Sequence, residues 1–202
     1  MVNVRGWVTI SSMTGRTHDL AAATALVATA IVLQPTPVNL ATALAALLAN
    51  QIGGIAPDID QPTAPFWRNL PIGGFFGRIF GKLLGGHRFL SHSLVGVVVF
   101  GLAARALINF LHPLMPHIDI GIVWVAFMIG VCSHLVMDSF TREGVPWLLP
   151  VPVKFGFPPV RSLRVTTGKK MEVILIFPLI ALGLIWLCST HYVLLQQLIL
   201  RP

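Results

Sequence analysis

The chain has 202 residues, of which 55% are hydrophobic and only 10% are charged, and its formal net charge is +7. Soluble domains carry about 25% charged residues, so this composition is typical of an integral membrane protein. The positive charge fits a bias of basic residues toward one side of a membrane. Nucleic-acid binding is not expected, because the sequence has neither aromatic–basic interleaving nor a helix-turn-helix pattern.

Five apolar stretches have the content and length of membrane spans, and they predict an all-α, polytopic helix bundle. They cover residues 20–33, 40–55, 94–111, 120–140 and 173–190. We expect one transmembrane domain over residues 13–202, with cytoplasmic-side loops at 57–90 and 141–172. Residues 1–12 are interpreted as a weakly ordered N-terminal extension, and Met13 is an alternative start.

Lysine and arginine are unevenly distributed between the connections. Two precede the first span, four lie between the second and third, and six lie between the fourth and fifth, so twelve of the 14 fall on one side. The positive-inside rule makes this side cytoplasmic, with the N-terminus inside and the C-terminus outside, and it favours contact with anionic lipid headgroups. Residues 71–84 set phenylalanines against Arg78 and Lys82, which predicts a short helix lying in the membrane interface.

Ionisable side chains gather at the cytoplasmic ends of all five predicted spans. They are His18, Asp58, Asp60, His87, His92, His134, Asp138 and Glu172. Such groups are rare inside membranes and usually paired, so their shared depth predicts a common pocket. His134 and Asp138 are four residues apart and share one helical face, about 6 Å apart at Cβ, so one ion could bind both.

The two aspartates near the second span need a turn to reach this pocket. Asp58 and Asp60 would diverge on a helix, but the chain after Pro57 is expected to be non-helical, which lets both carboxylates turn inward. Taken singly, either residue would be interpreted as an ordinary polar group at the end of a helix.

The histidines around the start of the third span also need a particular backbone conformation to reach this pocket. Ser91 is expected to cap this helix, which would place His92 in its first turn, while His87 comes from the preceding glycine-rich loop. Arg88 could bind a phosphate or pair with an aspartate. Taken singly, a histidine at a membrane interface is usually solvated or bonded to the backbone.

The motifs that carry these residues resemble a known family. They are THDLA, PDIDQP, GHRFLSHS, SHLVMDSFTREGVPWLLP and TGKKME. The sequence resembles, from about Met13 to the start of the fifth span, the YdjM-like family of membrane-bound, metal-dependent hydrolases, also described as LexA-regulated inner-membrane proteins. The resemblance implies a metal site formed by His18, Asp58, Asp60, His87, His92, His134 and Asp138, with Glu172 as a further candidate.

The leading hypothesis is a metal-dependent hydrolase in the bacterial cytoplasmic membrane. Its potential ligands exceed the three or four that one catalytic ion needs, so either two ions bind, or one binds and the remaining groups support it. Mixed nitrogen and oxygen ligands fit zinc, with manganese or iron as alternatives. Asp60 or Asp138 would accept a proton from water, and Arg88 would bind an anionic substrate, for which a phospholipid or other lipid-linked ester is expected.

Two other functional classes fit the same residues. Buried acids and imidazoles could relay protons or metal ions, but a carrier needs a polar path, and the outer halves of the spans are nearly all apolar. A metal that merely ties the helix ends together would make the protein a non-catalytic scaffold. Metal content and product release separate these classes, because the scaffold predicts bound metal without turnover.

Overall fold

The computed structural model describes residues 13–61, 64, 67, 71–83, 89–151, 153–166 and 171–200. The predicted N-terminal extension and the predicted site residues His87 and Arg88 lie outside these ranges. The described part of the chain is mostly helical, and five of its helical segments are long and apolar enough to cross a membrane. The predicted all-α membrane bundle is therefore confirmed.

The described residues form seven α-helices. They are α1 Met13–Leu33, α2 Leu40–Ile55, α3 Gly73–Leu83, α4 Leu94–Leu111, α5 Ile120–Ser139, α6 Phe177–Thr190 and α7 Tyr192–Leu200. Short 3-10 turns, Ala56–Asp60 and Leu90–His92, adjoin α2 and α4, and a π-helical turn, Glu172–Ile176, leads into α6. The first span begins at Met13 rather than at residue 20, which places His18 inside the helix instead of before it.

The helices α2 and α5 approach each other closely because glycines lie at their contact. A Cβ atom on Gly53 would clash with the carbonyl oxygen of Phe127, and one on Gly130 would clash with that of Asn50. Small residues allow this kind of backbone approach between membrane helices. Asn50 is fully buried and donates a 3.1 Å hydrogen bond to a carbonyl oxygen of α5. The contact fixes His134, one turn beyond Gly130, against the end of α2.

The start of α4 differs from the predicted cap. Ser93, not Ser91, caps this helix, because its hydroxyl oxygen accepts a hydrogen bond from the Gly96 N–H at 3.1 Å. His92 consequently ends the preceding 3-10 turn and is fully buried there. The Ser91 hydroxyl is thus available to a partner outside the helix.

The connection after α5 folds back on the helix that precedes it. Val145 and Phe155 exchange two backbone hydrogen bonds of 2.8 and 2.9 Å. Val145 is fully buried and packs in one apolar cluster with Val131 of α5. The Trp147 indole donates a 3.0 Å hydrogen bond to Ser139 at the end of the same helix. This connection therefore supports the end of α5 that carries Asp138.

The short helix α3 is confirmed at the predicted position, and it presents two different faces. Gly73 and Gly77 are buried, and a Cβ atom on Gly73 would clash with the Trp67 carbonyl oxygen. Phe75 and Phe76 are 59% and 45% exposed. The helix therefore packs on the protein through Gly73 and Gly77 and leaves Phe75 and Phe76 outside.

Candidate metal centre

Side chains from four elements meet at one end of the bundle. His18 comes from α1, Asp58 from the turn after α2, His92 from the turn before α4, and His134 and Asp138 from α5. We call these five residues the His–Asp cluster. All except Asp58 are buried, and the Asp58 side chain is 30% exposed. The cluster thus has one side chain that solvent can reach.

The ligand atoms of the cluster form two overlapping groups that share His134. One group is His18, His134 and Asp138, and the other is Asp58, His92 and His134, with the chosen atoms of each group all within 4.8 Å of one another. The closest nitrogen–oxygen pairs join Asp138 to His92 at 3.3 Å and to His18 at 3.5 Å, and Asp58 to His134 at 3.6 Å. Ligands of a tetrahedral zinc ion with bonds of 2.0–2.1 Å lie about 3.3 Å apart, so these separations are close to those of a bound ion.

The orientation of His134 is set by the backbone of α2. Its Nδ1 lies 2.6 Å from the carbonyl oxygen of Gly54, an acceptor, so Nδ1 carries the proton. In the neutral ring, Nε2 then carries the lone pair, and it faces Asp58 at 3.6 Å and Asp138 at 3.8 Å. A lone pair facing carboxylates is repulsive unless a cation lies between them. A backbone bond of this kind commonly orients histidine ligands of metals.

A second set of hydrogen bonds orients His92. Its Nδ1 lies 2.9 Å from the Ser91 hydroxyl and 3.5 Å from Asp60, and Ser91 donates a short hydrogen bond to Asp60. The Ser91 oxygen can therefore accept a hydrogen bond from the Nδ1–H group of His92, while Nε2 faces Asp138. Burial lowers the pKa of His92, but the hydrogen bonds and charges of Asp138 and Asp60 outweigh burial and raise it to about 9. The surroundings thus favour positive charge at this point.

The cluster as a whole fits a divalent cation. With neutral imidazoles, the carboxylates of Asp58 and Asp138 give it two negative charges in a largely buried place, which is costly without a counter-ion. His18 stacks on His134, with ring centroids 4.1 Å apart and planes at 18°. Among the described residues, His18 Nδ1 and His134 Nε2 are buried nitrogens without a hydrogen-bond partner. Buried groups of this kind are what a metal would satisfy.

Two of the predicted ligands lie outside both groups. Asp60 is fully buried, but it lies behind His92, on the Nδ1 side of the ring. The predicted non-helical chain after Pro57 is in fact a 3-10 turn, and the turn directs Asp58 and Asp60 to opposite nitrogens of His92. Glu172 is buried and accepts a 2.7 Å hydrogen bond from a threonine of α1 instead. The structure thus brings five of the eight predicted ligands together.

Sequence reasoning missed the groups that support the cluster. Ser91, which was interpreted as a cap, bonds Asp60, and Thr17 is the residue that bonds Glu172. The signal for both was present, because a hydroxyl residue directly precedes His18 and His92 in the sequence. The role of the Gly54 carbonyl depends on helix packing and has no sequence signal.

Five candidate membrane spans and a buried His–Asp cluster at one end define this protein as a polytopic membrane protein with a candidate metal centre. Residues 13–197 match the family described as YdjM inner membrane protein, and the chain belongs to that family. It is also 26% identical over 160 residues to "Uncharacterized protein YvsG" of Bacillus subtilis (strain 168), covering 79% of this chain and 85% of that protein. No solved structure matches the chain.

Proposed function

We propose that this protein is a metal-dependent hydrolase of the cytoplasmic membrane that cleaves a lipid or lipid-linked ester or phosphoester at the cytoplasmic face. The observation that carries this proposal is the pair of ligand groups that share His134. A structural metal needs only a closed set of ligands, whereas catalysis needs a position that water can reach. The partly exposed Asp58 provides such access.

The residues that would hold the metal follow from the two groups. His134 would be a ligand in either group, with His18 and Asp138 on one side and Asp58 and His92 on the other. The mixed nitrogen and oxygen donors favour zinc, with manganese or iron as alternatives, and the two groups allow one or two ions. A bound divalent ion would supply a Lewis acid and lower the pKa of water.

The remaining polar groups have separate roles in catalysis, in positioning and in substrate binding. When the ion is held by His18, His134 and Asp138, Asp58 is the carboxylate outside that group that solvent reaches, so we propose that it accepts the proton of the attacking water, in preference to Asp60 or Asp138. Asp138 lies between His18 and His92, and Asp60 positions His92 through Ser91. These contacts support a ligand role for Asp138 and a positioning role for Asp60. Arg88, outside the described residues, is retained as the candidate group for an anionic substrate.

The surface around the cluster fits a membrane location. We propose that α3 lies in the interface of the inner leaflet, with Phe75 and Phe76 among the lipid chains and the exposed Arg78 and Lys82 near anionic headgroups. The lysine and arginine distribution supports a cytoplasmic N-terminus and an external C-terminus. Phosphatase and fluorescent-protein fusions at the C-terminus test this orientation.

The proposal is tested with purified protein in lipid nanodiscs. Metal content is measured after dialysis, and product release from extracted membrane lipids is followed by mass spectrometry. We expect bound metal and turnover, both lost in His134→Ala and both retained in His117→Ala, whose side chain is exposed outside the cluster. Bound metal without turnover on a broad lipid panel would instead support a scaffold. Ion flux in vesicles by a protein without metal would support a carrier.

A further inference from the structure

An apolar cavity lies directly beside the His–Asp cluster, between α1, the end of α5 and the start of the last span. Its volume is about 230 Å³, and its walls include His18, Met137, Val165, Ile176 and Ile180. His18 belongs to both the cavity and the cluster. One end of the cavity is therefore the candidate metal centre.

The cavity wall also contains polar side chains. Thr17, the residue before His18, donates a 2.7 Å hydrogen bond to Glu172, and both line the cavity together with Thr141. Among the described lining residues there is no lysine or arginine. The described part of the wall therefore offers no lysine or arginine to a phosphate or carboxylate, which favours an uncharged part of a ligand against it.

The cavity extends along a membrane span. Glu172 and Ile180 both belong to the candidate span Glu172–Thr190, and the eight helical steps from one to the other cover about 12 Å. The span begins with a π-helical turn just before Pro178, which has no N–H to donate, and such turns are frequent at functional sites. The apolar part of its wall, formed by residues such as Met137, Val165, Ile176 and Ile180, favours a hydrocarbon over water.

We propose that this cavity binds the hydrocarbon chain of a membrane amphiphile whose polar head lies at His18. The inference rests on the proposed function for what happens to the head, and it adds that the reacting bond lies within a few atoms of a hydrocarbon chain. Since bulk lipid is as apolar as the cavity wall, moving the chain from the bilayer into the cavity provides little affinity by itself. Selection comes from the fit of the chain between Ile176 and Ile180 and from the head at the cluster.

Photo-crosslinking tests chain binding without requiring turnover. The protein in nanodiscs is exposed to two probes that carry a diazirine in the chain, a phosphatidylglycerol and a single-chain fatty acid, and labelled residues are located by mass spectrometry. We expect saturable labelling of residues 172–180 that unlabelled lipid competes away. Labelling by both probes assigns the chain to membrane lipid, whereas labelling by the fatty acid alone assigns it to a single-chain amphiphile.

Ile180→Trp should fill the cavity and reduce this labelling roughly tenfold, because overpacking excludes the chain. Ile185→Trp is the matched control, since Ile185 is 63% exposed on the same span and outside the cavity wall. Size-exclusion chromatography and thermal unfolding show whether each variant is folded. In the unmodified protein, labelling of residues 172–180 that neither saturates nor exceeds the labelling of the lipid-facing residues of α6 would overturn the proposal. This outcome does not depend on whether Ile180→Trp folds.

The two proposals can fail separately in these experiments. Saturable labelling without metal or turnover would leave the chain site in place and remove the hydrolase. Turnover without saturable labelling would leave the hydrolase and remove the chain site.

Discussion

The Nδ1 atom of His134 lies 2.6 Å from the carbonyl oxygen of Gly54, so the end of one membrane helix determines which nitrogen of a histidine on another faces the acidic groups. Asp58 and Asp138 lie 3.6 and 3.8 Å from the opposite nitrogen. The imidazole is thus held by the backbone rather than by a flexible side chain. Such fixed ligands favour metal binding because little conformational entropy is lost when the ion enters.

Replacing the shared ligand should affect metal binding more than replacing an unshared one. His134→Ala removes a donor from both groups, whereas His18→Ala leaves Asp58, His92 and His134 intact. We expect His134→Ala to bind no zinc after dialysis and His18→Ala to retain part of it. Zinc per protein, measured by atomic emission, checks this, with His117→Ala as the unaffected control. Equal losses in the two cluster variants would contradict the two-group arrangement.

The support of His92 by Ser91 should be visible in metal affinity. Ser91→Ala removes the hydroxyl that links His92 Nδ1 to Asp60. Loss of such an outer partner typically weakens metal binding roughly 10- to 100-fold, and we expect that range here. Competition with a chelating dye measures the affinity. Ser91→Thr keeps a hydroxyl and should restore most of it, whereas Ser189→Ala, at an exposed serine of α6, should change nothing. An unchanged affinity in Ser91→Ala would show that the link is dispensable.

The fold could be predicted from the sequence because the bilayer imposes a simple rule. A span must be long and apolar, so α2, α4 and α5 were located within one residue at each end. The start of α1 was missed, because Arg16, His18 and Asp19 lower the hydropathy of a helix that continues through them. Polarity near a helix end does not by itself terminate the helix.

The sequence predicts which residues form most of the candidate site, but it does not predict the contacts between them. The shared depth of His18, His134 and Asp138 follows from the spans and was visible in the sequence. The position of Asp60 behind His92 was not, because it depends on a 3-10 turn and on which serine caps α4. The sequence offers two serines as caps, and the bond between Ser91 and Asp60 joins segments 31 residues apart that only the folded chain brings together.

Metal uptake should release protons near neutral pH. The pKa of His92 is raised to about 9 by Asp138 and Asp60 against the effect of burial, so the metal-free protein carries this proton at pH 7. A metal ligand must be neutral, and the ion therefore displaces the proton. We expect zinc affinity to rise by up to about tenfold per pH unit and to level off near pH 9.

Calorimetric titrations in buffers of different ionisation enthalpy measure the protons released. His92→Gln should lower the number released at pH 7 and flatten the dependence on pH. The dependence has the opposite sign for stability without metal: the charged His92 stabilises the fold fully below its unfolded pKa of about 6.5, and this contribution is lost as pH rises through about 9. An affinity that did not change between pH 6 and 8 would contradict this account.

The closeness of α2 and α5 can be tested with a pair of glycine substitutions. Gly130→Ala introduces a Cβ atom that must collide with the Asn50 carbonyl oxygen, whereas a Cβ atom on Gly183 of α6 meets no atom within 4 Å. Because backbone cannot move aside as a side chain can, we expect Gly130→Ala to destabilise the protein by about 1–3 kcal/mol. Gly183→Ala should be neutral or slightly stabilising, since alanine is the better helix former. Thermal unfolding in detergent compares the two variants. Separating α2 from α5 also moves Gly54 away from His134. Gly130→Ala should therefore lose zinc at temperatures where it remains folded. Full zinc binding by a destabilised Gly130→Ala would show that the cluster does not depend on this contact.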